Sequence, residues 1–370
     1  MKIGVITLPL HTNYGGILQA YALQRILQDM GHDVVLLDSY PQCPKQHPFP
    51  LQQLLYIKRL IKKIFTPNGA TPVFHEKILI RQYPIKDHIR KFYRKNIRHI
   101  DFGQHTILNP EDFDALVVGS DQIWRPIYCS NITNSYLSFA ENWTNVKRIA
   151  YAVSFGTDKW EYTEEQTKAC SNLAKLFDAV SVREETGVTL CSKNLGVDAT
   201  WVLDPTLLVD IKHYMEHIDN TTMINPSEMC LSYILDETEE KSTILQRIVE
   251  TQGYNLVTYK NIDKPDNSNA PSVEEWLKAF HNANFVFTDS FHGCAFSIIF
   301  NKPFIVYGNK ERGMARFLSL LKIFELENRL VTNKEESERV INLPIDWNKV
   351  NTIKKEWQEK SLNFLKENLK

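Results

Sequence analysis

The 370-residue chain is predicted to be an α/β protein of two domains, each an alternation of strands and helices, and three observations carry that reading. Strand-like and helix-like segments alternate from Lys2, and the alternation restarts at Met229 after a polar bridge, Asp219–Glu228. The strand-like runs end repeatedly in small polar or glycine-bearing turns, where α/β proteins place ligands. Composition excludes the other broad classes: 43% hydrophobic and 24% charged residues suit a globular chain, and no run approaches the ~20 apolar residues of a membrane span. The domains are placed at residues 1–208 and 209–345, with 346–370 a closing helix that packs back on the first domain.

Lys2–Thr7 reads as a strand, Tyr14–Met30 as a helix stopped by Gly31, and Asp33–Leu37 as a second strand, a βαβ opening. Asn13, Tyr14, Gly15 and Gly16 occupy the turn; the spacing of a dinucleotide fingerprint is missing, so the glycines mark either a close-packed turn or a ligand cradle. Asp38 ends the second strand, as a ribose-binding acid or a loop cap. Residues 40–110 break the alternation. Prolines 41, 44, 48 and 50 lead to helices near Leu51–Phe65 and Phe74–Arg98, and residues 51–100 carry twelve lysines and arginines against Glu76 and Asp87. That face is either solvated or an anionic-surface contact, and Leu51, Leu54, Leu55, Ile61 and Phe65 recur at helical spacing as its inward side. The sheet resumes at Asp114–Val118, ending in Gly119-Ser120-Asp121-Gln122. Strand Lys147–Val153, helix Thr163–Phe177 and strand Ala179–Val182 follow. Arg183, at the last strand's end, either binds an anion or pairs with Glu184 or Glu185. Asp198–Asp204 and Pro205 close the first half.

The second half runs through strand Met229–Leu235, helix Glu239–Thr251, strand Asn255–Thr258 and helix Ser272–Asn282, whose Ser272 and Glu275 form a capping box. Phe285–Phe287 is a buried strand, Thr288-Asp289-Ser290 a capping turn, and Gly293–Phe300 a helix with His292 at its start. A histidine there either packs or serves anion and proton chemistry. Strand Phe304–Tyr307, the segment Arg312–Leu321 and a tail helix near Trp347–Leu369, with Val350, Ile353, Trp357 and Phe364 on one face, complete the chain. Six scattered cysteines without a CxxC pair argue against zinc and disulfides and suit a reducing cytoplasm; Cys294, near His292 but diverging from it on a helix, reads as a buried thiol. No secretory signal is expected, since Ile3-Gly4-Val5-Ile6 follows Met1-Lys2 directly and His11 interrupts the run. A net charge of −1 gives no reason to expect a nucleic-acid partner.

NYGGILQAYALQ (Asn13–Gln24), VGSDQIW (Val118–Trp124), YAVSFG (Tyr151–Gly156), SVREETG (Ser181–Gly187), WVLDPTLL (Trp201–Leu208) and TDSFHG (Thr288–Gly293) occur in the order of one family. With them the chain resembles the polysaccharide pyruvyl transferases. The resemblance implies a GT-B-like architecture of two Rossmann domains with the site in the cleft. It also implies transfer of a pyruvyl group from phosphoenolpyruvate to two hydroxyls of a sugar, forming a cyclic ketal and releasing phosphate. Phosphoenolpyruvate is then a co-substrate, and no metal or other cofactor is expected. Better-described members hold the donor with an Arg-x-His triplet and an upstream arginine. His292 matches the histidine, as the catalytic acid/base, and Arg183 is the best match for the upstream arginine. Ser290 stands where the triplet's arginine is expected, so Ser290 and Gly293 are assigned to the donor with Arg312 or Arg316, or Lys310, supplying the charge. Asn13, Tyr14, Gly15, Gly16, Gln19, Ser120, Asp121 and Trp124 are assigned to the acceptor. The competing expectations are a nucleotide-sugar glycosyltransferase of the same architecture and an inactive glycan-binding relative. A sugar or lipid-linked glycan in the cytoplasm is the expected partner. Lys58, Arg59, Lys62, Lys63, Arg90, Lys91, Arg94 and Lys95 would hold the protein peripherally at the inner face of the plasma membrane. The sequence gives no sign of oligomeric state.

Overall fold

A computed structural model describes residues 1–10, 13–38, 53–60, 87–101, 108–129, 131–219, 228–260, 270–308 and 313–370. The first sheet contains β1 (Lys2–Ile6), β2 (Asp33–Asp38), β3 (His99–Asp101), β4 (Ala115–Val118), β5 (Lys147–Val153), β6 (Ala179–Val182) and β7 (Thr200–Trp201), all parallel in the order β3-β2-β1-β4-β5-β6-β7. The second contains β8 (Met229–Ile234), β9 (Asn255–Lys260), β10 (Phe285–Thr288), β11 (Phe304–Tyr307) and β12 (Leu330–Val331), also parallel, in the order β12-β11-β10-β8-β9. Every residue of β4, β8 and β10 is buried. Helices cover both faces of such strands, which is why they read as unbroken apolar runs.

The helices are α1 (Tyr14–Asp29), α2 (residues 53–60), α3 (Asp87–Asn96), α4 (Glu164–Ala174), α5 (Glu185–Leu190), α6 (Ile211–Asp219), α7 (Glu239–Gln252), α8 (Val273–Asn282), α9 (Phe291–Ile299), α10 (Ala315–Phe324), α11 (Lys334–Val340) and α12 (Trp347–Asn368). Of the described residues, no helix is long and apolar enough to cross a membrane. The chain is thus an α/β protein of two Rossmann-like domains in a GT-B-like arrangement, with a long C-terminal helix. Each sheet has one topological switch point: strand order reverses between β1 and β4, and between β8 and β10. Crevices at the carboxyl ends of such strands are where α/β proteins bind ligands.

The domains share one core. Tyr14 at the start of α1 stacks on Trp276 of α8 with ring centroids 5.5 Å apart, and its hydroxyl donates to the Pro271 carbonyl. Tyr14 also meets Tyr233 of β8 edge-on at 6.3 Å. These rings belong to a single buried cluster spanning both sheets, so the interface resembles a domain core more than a mobile seam. From the second domain α12 returns to the first: the Leu203 amide donates to Ser361 Oγ (3.0 Å), and Gln358 donates to the Leu207 carbonyl (2.6 Å).

One expectation shifts: Leu54, expected inward, is 66% exposed. On α2 the buried residue is Tyr56, and a position two residues away lies about 200° round the helix, which turns Leu54 outward. Leu51, Ile61, Phe65, Lys62 and Lys63 lie outside the described residues.

Candidate active site between the two sheets

The two switch points face each other across a cavity of about 240 Å³. Leu8, Leu10, Asn13 and Gly16 after β1, and Asp121, Gln122 and Tyr128 after β4, form one wall. Leu235 after β8, Asp289, Ser290 and His292 after β10, and Arg316 of α10 form the other.

The first wall begins at the α1 N-terminus. Asn13 caps it, its Oδ1 accepting from the Gly15 (2.9 Å) and Gly16 (3.3 Å) amides. These amides are therefore satisfied from within the motif. Gly15 has another reason to be glycine: a Cβ there would lie 1.9 Å from Nδ1 of His292, so the imidazole of one domain rests against the bare backbone of the other. Gln19 is fully buried; its Nε2 donates to Thr7 Oγ1 (2.8 Å) and the Gly16 carbonyl (2.9 Å), while its Oε1 accepts from the Ser120 amide (2.9 Å) and hydroxyl (2.7 Å). Gln19 and Ser120 thus lock the two turns together, and Ser120 does not line the cavity. Tyr14 faces the interdomain core. Trp124, also assigned to the acceptor, is fully buried, donates to the Ser135 carbonyl (3.0 Å) and stacks on Tyr136 (4.4 Å). An indole of that size completes the core behind the wall and presents nothing to a ligand. Of the acceptor-side residues, Asn13, Gly16, Gln19 and Asp121 line the cavity.

On the second wall, Ser290 caps α9 by accepting from the Gly293 amide (3.3 Å), so that amide is taken up locally. Gly293 is small because a Cβ would stand 2.2 Å from Thr288 Oγ1, which itself donates to the Tyr233 carbonyl (2.7 Å). Asp289 accepts from the Leu235 (2.6 Å) and Asp236 (3.0 Å) amides and pairs with buried Lys241 (2.7 Å), holding the β8 loop against the β10 turn. Cys294 is fully buried, and burial pushes its thiol well above the usual range; it is a core residue.

Arg183 stands behind the wall. Its side chain is 1% exposed, and Nη2, Nη1 and Nε donate to Asp121 (2.8 Å), Asp204 (2.8 Å) and Glu184 (3.2 Å), with the Phe291 ring 4.4 Å from the guanidinium carbon. Every nitrogen is committed to a carboxylate, so the assignment of Arg183 to direct donor contact gives way to a positioning role. Among the described residues, the cation at the cavity surface is Arg316. Burial, with the repulsion of Arg183, pushes its guanidinium down to about 10, a charge the site holds at a cost and that an anion would relieve. Arg312 and Lys310 lie outside the described residues.

His292 is 5% exposed, and its Nε2 is buried with no hydrogen-bond partner among the described residues. Burial lowers its pKa below the ordinary histidine value, while Asp204 and Asp121 pull the other way and Arg183 and Arg316 oppose protonation. The ring is therefore neutral at neutral pH. For Asp121, burial alone would raise the pKa, but Arg183 above all, with Arg316, outweighs it and holds the carboxyl below its usual range. The cavity thus places a neutral imidazole, an ionised carboxylate and an arginine together, a set able to move protons beside a bound anion.

The sequence reading gives Asp289, Lys241 and Asp204 no role in the site. Asp289 and Asp204 sit inside the motifs TDSFHG and WVLDPTLL, so a signal existed for them. Lys241 carried none, because its partner is 48 residues away.

No curated protein sequence matches the chain. Among solved structures it is similar to the UDP-N-acetylglucosamine 2-epimerase of Rickettsia bellii (11% identity, 99% of this chain and 98% of the other, TM-score 0.49). It is also similar to the UDP-GlcNAc 2-epimerase of Methanocaldococcus jannaschii (11%, 94% and 93%, TM-score 0.47). A third is the spinosyn forosaminyltransferase SpnP (11%, 100% and 98%, TM-score 0.44). Likeness at this level says nothing of substrate. The polysaccharide pyruvyl transferase family model matches residues 13–311, which include Asn13, Asp121, Ser290 and His292 of the cavity but not Leu8, Leu10 or Arg316; the chain belongs to that family.

Proposed function

We propose that the protein transfers a pyruvyl group from phosphoenolpyruvate to two hydroxyls of a sugar acceptor, forming a ketal and releasing phosphate. The observation that carries this reading is the small cavity in which Arg316, the start of α9 and the neutral His292 converge. At about 240 Å³ it falls below the roughly 300–1,000 Å³ typical of drug-sized ligands, and it suits a small anion better than a nucleotide sugar. Arg316 and the helix end offer positive charge to the donor's phosphate and carboxylate, with Ser290 fixing the turn between them.

In the reaction one sugar hydroxyl adds to C2 of the enol while C3 gains a proton and becomes the methyl group. A second hydroxyl then displaces phosphate from C2. Of the two hydroxyl protons, one balances the proton gained at C3 and the other leaves with phosphate. His292, neutral and with an Nε2 that no described residue engages, accepts the first proton and supplies C3, a role typically contributing about 10²–10⁴-fold. Asp121, kept ionised by Arg183, faces the same space and orients the acceptor hydroxyls with Asn13.

Thermal shift with phosphoenolpyruvate, UDP-sugars and inorganic phosphate tests the donor. At ~100 times Kd a bound donor adds about 2.7 kcal/mol. Stabilisation by phosphoenolpyruvate and none by UDP-sugars is expected; the reverse would make the protein a glycosyltransferase. We also propose that a glycan carried on an anionic lipid is met at a membrane face. Lys58, Lys91, Arg94 and Lys95 are exposed, and Leu54, Ile57 and Leu60 of α2 are exposed on the same helix as Lys58. Co-sedimentation with anionic vesicles at low salt, lost at high salt, is the expected behaviour.

A further inference from the structure

A short 3₁₀ turn, Pro126–Tyr128, forms part of the cavity mouth and carries two apolar side chains that the rest of the site leaves to solvent. Tyr128 lines the cavity yet is 48% exposed, and Ile127 beside it is 64% exposed. A large ring at the rim of a polar cavity is an unusual use of apolar surface, and such surface marks a contact.

The ring is also held in place. The Arg125 guanidinium lies over it, 5.7 Å from the ring centroid. Arg125 is itself fixed by a two-pronged pair with Glu161 (2.9 and 2.9 Å) and a hydrogen bond to Gln122 Oε1 (3.2 Å). The Tyr128 amide donates to the Arg125 carbonyl (3.1 Å) and the Cys129 amide to that of Pro126 (3.2 Å), closing the turn. A cation on one side fixes the aromatic plane and leaves the remainder free, so little entropy is lost when a ligand covers it.

We propose that Tyr128 is the stacking platform for the acceptor: a sugar ring lays its C–H face on the exposed part of the phenol ring, with its hydroxyls turned into the cavity toward Asp121 and His292. This inference rests on the pyruvyl transfer reading for the direction of the hydroxyls. A sugar ring has one face of C–H bonds whose positive edges meet the negative face of an aromatic ring. Phosphoenolpyruvate, a small dianion or trianion, has no such face. Ile127 lies beside the platform, where the unit next to the stacked sugar would extend.

The test compares wild type with Tyr128→Ala, Tyr128→Phe and Ile127→Ala. Saturation-transfer NMR is run with the methyl glycosides of glucose, galactose, mannose and N-acetylglucosamine, and thermal shift with phosphoenolpyruvate is run in parallel. Wild type and Tyr128→Phe should both show transfer to ring C–H protons of at least one glycoside. In Tyr128→Ala affinity for that glycoside should fall roughly 2- to 13-fold, the value of one aromatic contact. Ile127→Ala should match wild type for a monosaccharide, and the phosphoenolpyruvate shift should be the same in all four proteins. Undiminished transfer in Tyr128→Ala overturns the proposal, as does absence of transfer to every glycoside in wild type. If phosphoenolpyruvate fails to shift wild type while Tyr128→Ala still loses its glycoside, the platform stands and the pyruvyl donor is wrong.

Discussion

The two walls of the cavity are built on the same local plan and do different work. Each is a strand end, a polar cap and a helix N-terminus at a switch point: Asn13 caps α1, and Ser290 caps α9. On the first wall the glycine beside the cap gives up its side chain for a group from elsewhere, since Gly15 accommodates the His292 ring. On the second wall Gly293 gives way to Thr288 of its own turn, and the helix contributes the reactive imidazole. The arginines divide in the same manner. Arg183 holds three carboxylates behind the first wall, whereas Arg316 brings charge to the surface of the second. Like signals in sequence therefore mark a scaffold on one side and chemistry on the other.

The largest effect should come from breaking the scaffold. Arg183→Met leaves Asp121, Asp204 and Glu184 buried without their cation, and loss of one partner in such a network typically costs about 3–5 kcal/mol. Urea unfolding should show it as a fall in midpoint; an unchanged midpoint would mean the network is not structural. On the other wall, His292→Asn should leave that midpoint near wild type and lower turnover at least about 10²-fold.

The glycine pair sharpens the contrast. Gly15→Ala drives a methyl into His292 and should lower turnover, while Gly293→Ala crowds Thr288 and should first lower stability, by about 1–3 kcal/mol. Equal stability losses with equal activity in both variants would show that Gly15 is no more than a close-packed turn. Arg316→Ala should weaken phosphoenolpyruvate binding roughly 10- to 150-fold by calorimetry, with little change in glycoside binding. If the donor binds the variant as tightly as wild type, the anion is held by another group.

The smallest and most diagnostic effect is in pH. Burial sets the His292 pKa below 6.5, so between that folded value and 6.5 the unfolded chain binds the extra proton. Stability from this group is therefore present above 6.5 and falls as pH drops toward the folded value. Activity that needs the neutral ring should fall in the same direction, with its midpoint below 6.5. A rising limb centred above 6.5, or one that survives in His292→Asn, would assign the titration to another residue.

Much of this architecture was legible because it is local. Alternating apolar runs and capping residues such as Ser272 and Ser290 act over a few residues, so β10, α9 and the Ser272–Glu275 box could be read directly. The position of His292 at the start of a helix follows from the same short-range rules. The partners of long or compact side chains could not be read that way. Beside Arg183 the sequence offers Glu184 and Glu185, yet Glu185 pairs with Lys322 of α10, and two of Arg183's three carboxylates come from the turns after β4 and β7. Trp124 sits within a motif but faces the core, because facing direction depends on which sheet face its turn leaves. Sequence alone determined the family, the strand–turn–helix units and the polar character of their ends, since these depend on propensity and short-range capping. The tertiary structure alone decided that Gly15 makes room for His292 and that Arg316 rather than Arg183 reaches the cavity, since both depend on how two sheets from distant parts of the chain meet.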